Sequence, residues 1–224
     1  MVLVDDVTYK ETIEILRDKK RLSPFYCDLK KWLGQRFGIT AYNFVFQRIP
    51  NNNPKGRFKL YILLSSTRDY NSMCDKRHCG YDKNKQDEIS QEFEKLADMH
   101  NFGNPETIKD VWVCYNDFSI EMKTGVNRLT YKKINKYIWK KYRNYSLWGV
   151  YPLFTDVVVF FMRDEDILRN SKNGVCANIQ SDYFKALKES DEFGLYNPVN
   201  FTMRFDSKEN LDNNYEGNLY YYFK

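Results

Sequence analysis

Histidine is nearly absent from this sequence: His78 and His100 are the only two in 224 residues. That leaves little material for histidine-based acid–base, nucleophilic or zinc chemistry, which needs imidazoles brought together with partners. No phosphate-cradling glycine loop, catalytic motif or well-spaced metal cage is present. No apolar run approaches the roughly 20 residues of a membrane helix. Met1-Val2-Leu3-Val4 runs straight into Asp5-Asp6, so neither a membrane span nor a secretory leader is expected. Five cysteines, Cys27, Cys74, Cys79, Cys114 and Cys176, are an odd number spread through the chain. Reduced thiols in a cytosol fit that better than a disulfide framework. The most local absence is of acid: between Met122 and Thr155 there is not one Asp or Glu.

Rings are abundant. Aromatic residues make up 17% of the chain, led by 18 Tyr and 16 Phe, so the core is expected to be built largely of rings, with many Tyr hydroxyls finding partners at its edge. The formal net charge of +5 permits an acidic partner without requiring one. The length suits one large domain or two small ones.

The sharpest structural signal is Asp156-Val157-Val158-Val159-Phe160-Phe161-Met162. This β-branched and aromatic run lies between Pro152 and the charged Arg163-Asp164-Glu165-Asp166, and it predicts a strand buried on both faces at the centre of a sheet. Upstream, Thr8-Tyr9-Lys10-Glu11 reads as a capping box opening a helix over residues 8–20. Ser23-Pro24 opens a second helix, striped by Phe25, Leu29, Trp32 and Leu33 and closed by Gly38. Residues 42–49 and 58–64 predict a hairpin across the Pro50–Gly56 loop, and residues 66–86 read as irregular. Ile89, Phe93 and Leu96 mark an amphipathic helix that stops at Phe102-Gly103. Residues 111–115 predict a strand with 118–122 as its hairpin partner, and Thr130 caps a helix that runs to Tyr145. Further on come a strand at 148–151, a polar loop with Cys176, a helix at 183–188, and a terminal pair of strands at 201–205 and 219–223.

These elements predict an α+β fold: a mainly antiparallel sheet with helices packed on it, in a single compact domain over residues 1–224. The order of features also repeats. Each half has a helix bearing Lys and Trp, a strongly apolar strand, an Arg-Asp pair, a Cys-containing loop, an amphipathic helix and a Phe-Gly stop. Trp32 and Trp139, Arg68 and Arg163, Cys79 and Cys176, and Phe102 and Phe193 stand as counterparts. The pattern suggests an internal duplication of αββαβ units, 23–125 and 129–224, behind the N-terminal helix.

Candidate chemistry is thin. Cys74, His78 and Cys79 offer zinc-type ligands, but the adjacent His78 and Cys79 are badly placed to turn onto one metal, and no second cysteine pair follows. A Cys79 nucleophile with His78 or His100 as base lacks an orienting residue. Asp206, Glu209, Asp212 and Glu216 lack the order of a calcium-binding EF-hand loop. A polar loop and a solvated turn are the simpler readings, and no metal, cofactor or catalytic residue is expected.

The acid-free stretch is richer. It carries eight cations interleaved with rings, and on a helix Lys132, Lys136, Lys140 and Arg143 share one face at i, i+4, i+8 and i+11, beside Trp139. Such a face suits an acidic protein surface, or a phosphate backbone with stacked bases. The plain alternative is a solvated helix face whose Lys stems cover core rings. The leading functional reading is a cytosolic, non-enzymatic protein-binding module of a bacterium, such as an inhibitor or toxin-immunity protein. Its partner site is Lys132, Lys136, Trp139, Lys140 and Arg143. The second reading is a nucleic-acid-binding protein using residues 123–148. The third is an enzyme whose site assembles between the two halves. No membrane partner is expected.

Overall fold

The computed structural model describes residues 5–49, 58–75 and 80–224. The fold is α+β, and the chain forms two units, Met1–Glu121 and Met122–Lys224. No helix among the described residues is long and apolar enough to cross a membrane.

The first unit opens with α1 (Asp6–Leu16). Its cap is Asp5, whose carboxylate accepts from Thr8 N at 2.7 Å. The expected cap, Thr8, is instead buried inside the first turn. A carboxylate at this N-terminus also meets the positive end of the helix dipole, which favours Asp5 over a hydroxyl. α2 (Pro24–Phe37) runs as expected, from the Ser23 cap to Gly38 at φ 67°. β1 (Ala41–Arg48) and β2 (Phe58–Leu64) form the expected antiparallel pair. The stretch read as irregular holds α3 (Thr67–Ser72), β3 (Cys74–Asp75) and β4 (Gly80–Tyr81). α4 (Lys83–His100), α5 (Pro105–Ile108) and β5 (Trp112–Asp117) complete the unit. β5 lies parallel to β2, giving the order β1-β2-β5. Leu60, Ile62 and Leu64 share one core with Phe25, Leu29 and Leu33 of α2 and Ile89 and Phe93 of α4. Rings dominate its packing: Phe25 stacks on Phe102 at 4.2 Å and meets Phe93 edge-on at 5.2 Å.

α6 (Phe118–Tyr142) carries the boundary between the units. Residues 118–122, expected as a strand, are its first turn. Asp117 accepts from Ser119 N at 3.1 Å and Ser119 Oγ at 2.5 Å, so the chain is capped into a helix as it leaves β5. Thr130, expected as a cap, lies mid-helix and donates its hydroxyl to Val126 O at 2.7 Å.

The second unit continues with β6 (Leu147–Leu153), β7 (Asp156–Phe161), α7 (Asp164–Lys172), α8 (Val175–Lys188), β8 (Met203–Ser207), α9 (Lys208–Tyr215) and α10 (Leu219–Phe223). β7 is the middle strand of β6-β7-β8, and Val157 through Phe161 are each 0% exposed. Val157, Val159 and Phe161 pack with Ile134, Ile138 and Tyr142 of α6 and with Ile179, Tyr183 and Leu187 of α8. Val158 and Phe160 meet Leu211, Tyr215, Leu219 and Tyr222 in a second cluster. Residues 219–223, expected as a strand, are helical. Asn218 caps them by accepting from Tyr220 N at 2.9 Å, and Leu219, Tyr222 and Phe223, at i, i+3 and i+4, join that second cluster. Cys176, expected in a loop, is buried in the first turn of α8.

Each three-stranded sheet is mixed, with an antiparallel pair first and a parallel pair second. A register shift falls at the start of each first pairing, at Ala41/Asn43 and Leu147/Gly149. In each unit a hydroxyl–carboxylate bond also joins the helix that follows the middle strand to the end of the third strand. Thr67 Oγ donates to Asp117 in one, and Ser207 Oγ donates to Asp164 at 2.5 Å in the other.

Val159→Asp places an unpaired carboxylate at the middle of β7, a cost of several kcal/mol. Soluble expression should be abolished. Val159→Ala should only lower the chemical-denaturation midpoint, by about 2 kcal/mol in stability. Wild-type stability in Val159→Asp would contradict a strand buried on both faces.

Candidate functional site

The inner face of α6 is set by apolar spacing and by two amides. Ile134, Ile138 and Tyr142, at i, i+4 and i+8, are buried. Asn127 Nδ2 donates to Phe154 O at 2.8 Å, and Asn135 Nδ2 donates to Val150 O at 2.7 Å, which ties the helix to β6 and the turn after it. With that face inward, helical geometry turns Lys132, Lys136 and Lys140 outward, and all three are exposed. Arg143, in the 3-10 turn that ends the helix, is also exposed. Trp139 flanks the stripe at 46% exposure, and Leu129 adds an aliphatic side chain 80% exposed. All five residues of the predicted partner site therefore lie along one solvent-facing segment. Lys132 to Lys140 spans about 12 Å of helix axis.

None of these four cations has a carboxylate partner among the described residues. Lys141 is different. It turns to Asp182 of α8 at 2.6 Å, and Tyr142 OH donates to the same carboxylate at 2.6 Å. Burial pushes the Asp182 carboxyl up, but the bonds from Lys141, Tyr142 and Tyr137 outweigh it and hold the group below its ordinary 3.8. Burial, with Asp182 alongside, pushes the Tyr142 phenol up to about 12. Asp182 thus takes Lys141 out of the free basic face and pins α6 to α8. Above this pin the two helices leave a groove of about 310 Å³ lined by Thr130, Lys133, Ile134, Tyr137, Lys185 and Ala186.

The other candidate clusters are differently placed. His78 and Cys79 lie outside the described residues, and among those described no group of three His, Cys, Asp or Glu converges to hold a metal. Burial pushes the Cys74 thiol up, the opposite of an activated nucleophile. His100 meets Asp28 at 2.8 Å. The acids read as a solvated turn belong to the β8–α9 corner and are engaged there. Asp206 accepts from Tyr222 OH at 2.5 Å, Glu209 accepts from Asp164 N at 3.1 Å, and Asp212 pairs with Lys208.

Sequence reasoning missed Leu129, the groove and Asp182. Leu129 precedes Lys132 by three residues and so extends the same stripe, a signal present in the spacing. Asp182 carries no such signal, because it is 41 residues from Lys141. No family model, curated protein or solved structure matches this chain.

Asp182→Asn should cost about 1–2 kcal/mol near neutral pH, measured by urea unfolding. The sign with pH follows from the depressed carboxyl. Its contribution is present above the unfolded value near 3.8 and is lost as pH falls through the lower folded value. The gap between wild type and variant should therefore be full at pH 6 and shrink as pH falls below the unfolded value of 3.8. A gap that widens on acidification would contradict the pin.

Proposed function

We propose that this chain is a cytosolic, non-enzymatic binding protein of bacterial inhibitor or immunity type, which holds an acidic protein surface against the outer face of α6. One observation carries the reading: Lys132, Lys136, Lys140 and Arg143 stand exposed on a stretch that contains no acid of its own. The eight cations between Met122 and Thr155 exceed the whole net charge of +5, so the remainder of the chain is net acidic, at −3. Positive charge is thus concentrated, which supports steering of an acidic partner to this one place. Leu129 and Trp139 favour a protein surface over a phosphate backbone, because Leu129 offers an aliphatic contact that a nucleic acid backbone cannot use. Cys27, Cys74, Cys114 and Cys176 form no disulfide among the described residues, which is compatible with a reducing compartment. The matching strand order and directions of the two sheets, with matching register shifts, support the reading of the chain as a duplicated unit.

The test replaces Lys132, Lys136, Lys140 and Arg143 together with Gln. Exposed charges contribute little to folding, so stability should shift by no more than about 1 kcal/mol. Affinity for a Glu- and Asp-rich peptide containing Leu should fall at least about tenfold, chiefly through a slower on-rate with reduced salt sensitivity. The same titration with a random oligonucleotide separates the second reading. A log–log salt slope that flattens by about 3 to 4 units in the variant would move the assignment to nucleic acid. Unchanged affinity for both probes would reduce the stripe to a solvated helix face. Loss of folding would show that these side chains pack inward.

A further inference from the structure

The two sheets end differently at their third strands. In the first unit the outward carbonyls of β5 are met by side chains of the same unit. Gln86 Nε2 donates to Val113 O, and Tyr81 OH donates to Tyr115 O at 3.0 Å. α4, which carries Gln86, packs along β5. Such side chains leave an edge strand without free acceptors for a further strand.

β8 has no such cover. Val157 N donates to Thr202 O at 3.1 Å, and this fixes the alternation. Thr202, Arg204 and Asp206 turn their main-chain groups toward β7, while Met203 and Phe205 turn theirs away. Among the described residues no hydrogen bond from a side chain or another strand reaches the outward amide and carbonyl of Met203 or Phe205. α8, the counterpart of α4 in chain order, makes far less contact with β8 than α4 makes with β5. Arg204 at the middle of the strand is exposed.

We propose that β8 pairs antiparallel with β8 of a second copy of this chain, about a two-fold axis at Phe205, joining two three-stranded sheets into one of six strands. Charge selects that register. An axis at Arg204 sets Arg204 against Arg204 of the other copy, and an axis at Asp206 sets Asp206 against Asp206. An axis at Phe205 sets each Arg204 opposite the other copy's Asp206 on the same face, twice. It also uses the free groups, because Phe205 faces Phe205 as a hydrogen-bonded pair that exchanges two N–H···O bonds. The two rings then stand as a cross-strand aromatic pair, extending the stack that Phe205 already makes with Phe161 at 6.1 Å. The strand is five residues long and Ser207 N is held by Asp206 at 2.7 Å, so the ladder is short and the dimer is a concentration-dependent one.

Analytical ultracentrifugation of the full chain from about 1 to 500 µM tests this. Wild type should pass from monomer to dimer across that range. Arg204→Glu, which faces acid with acid at both ends of the ladder, should weaken dimerisation about tenfold, and Asp206→Lys should do the same with base against base. An equimolar mixture of the two variants should restore the dimer, because each Glu then faces a Lys and each Arg an Asp. Asp206→Lys also removes the acceptor for Tyr222, so hydrogen exchange of wild type and Arg204→Glu gives a second readout. The Phe205 amide should exchange more slowly as wild-type concentration rises, and in Arg204→Glu the same slowing should need about tenfold higher concentration. A wild type that stays monomeric at the top of the range would overturn the proposal. So would a dimer that Arg204→Glu leaves intact with a Phe205 amide insensitive to concentration.

Discussion

β7 has no face that it can turn to water. Val157, Val159 and Phe161 require cover on one side of the sheet, and Val158 and Phe160 require it on the other. Burying each such side chain contributes about 1.5–3 kcal/mol, as an upper estimate. An exposed ion pair contributes between about 0 and 1. Packing therefore decides how α6 is rotated, and charge does not. Once Ile134, Ile138 and Tyr142 face the sheet, the lysines four residues apart have only the outer face left. The basic stripe is the far side of a packing solution, and its position is as firm as the core beneath it.

The proposed function depends on what the outer face lacks. Lys141, on the flank, is drawn to Asp182 and contributes to holding two helices together. Lys132, Lys136, Lys140 and Arg143 have no such partner among the described residues, so their charge is available to another molecule. Screening at physiological salt confines that attraction to about 8 Å. On the reading proposed above, the face guides a partner over the last steps of approach, and Trp139 and Leu129 supply the contact area once it arrives.

Elements whose signal is local are legible in the sequence. Ser23, Pro24 and Gly38 delimit α2 by cap chemistry alone, and the apolar run of β7 could hardly be anything but a central strand. Where local preference and tertiary demand part, the tertiary demand wins. The ring-rich residues 219–223 suit a strand by propensity, yet Leu219, Tyr222 and Phe223 reach one cluster only at helical spacing. Residues 118–122 read as a strand until the Asp117 cap is seen to start a helix there. α7 has too few apolar residues to announce itself, and it is held by contacts such as that of Asp164 with Ser207, 43 positions away. The candidate site is legible because it lies on one helix and has one period. Its pin at Asp182 is not, because it joins two.

The central claim is that the outer face of α6, and no other surface, meets an acidic protein partner. Backbone chemical-shift mapping of the isotope-labelled chain, titrated with a Glu- and Asp-rich peptide containing Leu, tests it most directly. Amides between Arg128 and Arg143 should move in a saturable way, and the Trp139 indole N–H should move with them. Shifts that centre elsewhere, or an α6 that stays silent at saturating peptide, would contradict the account.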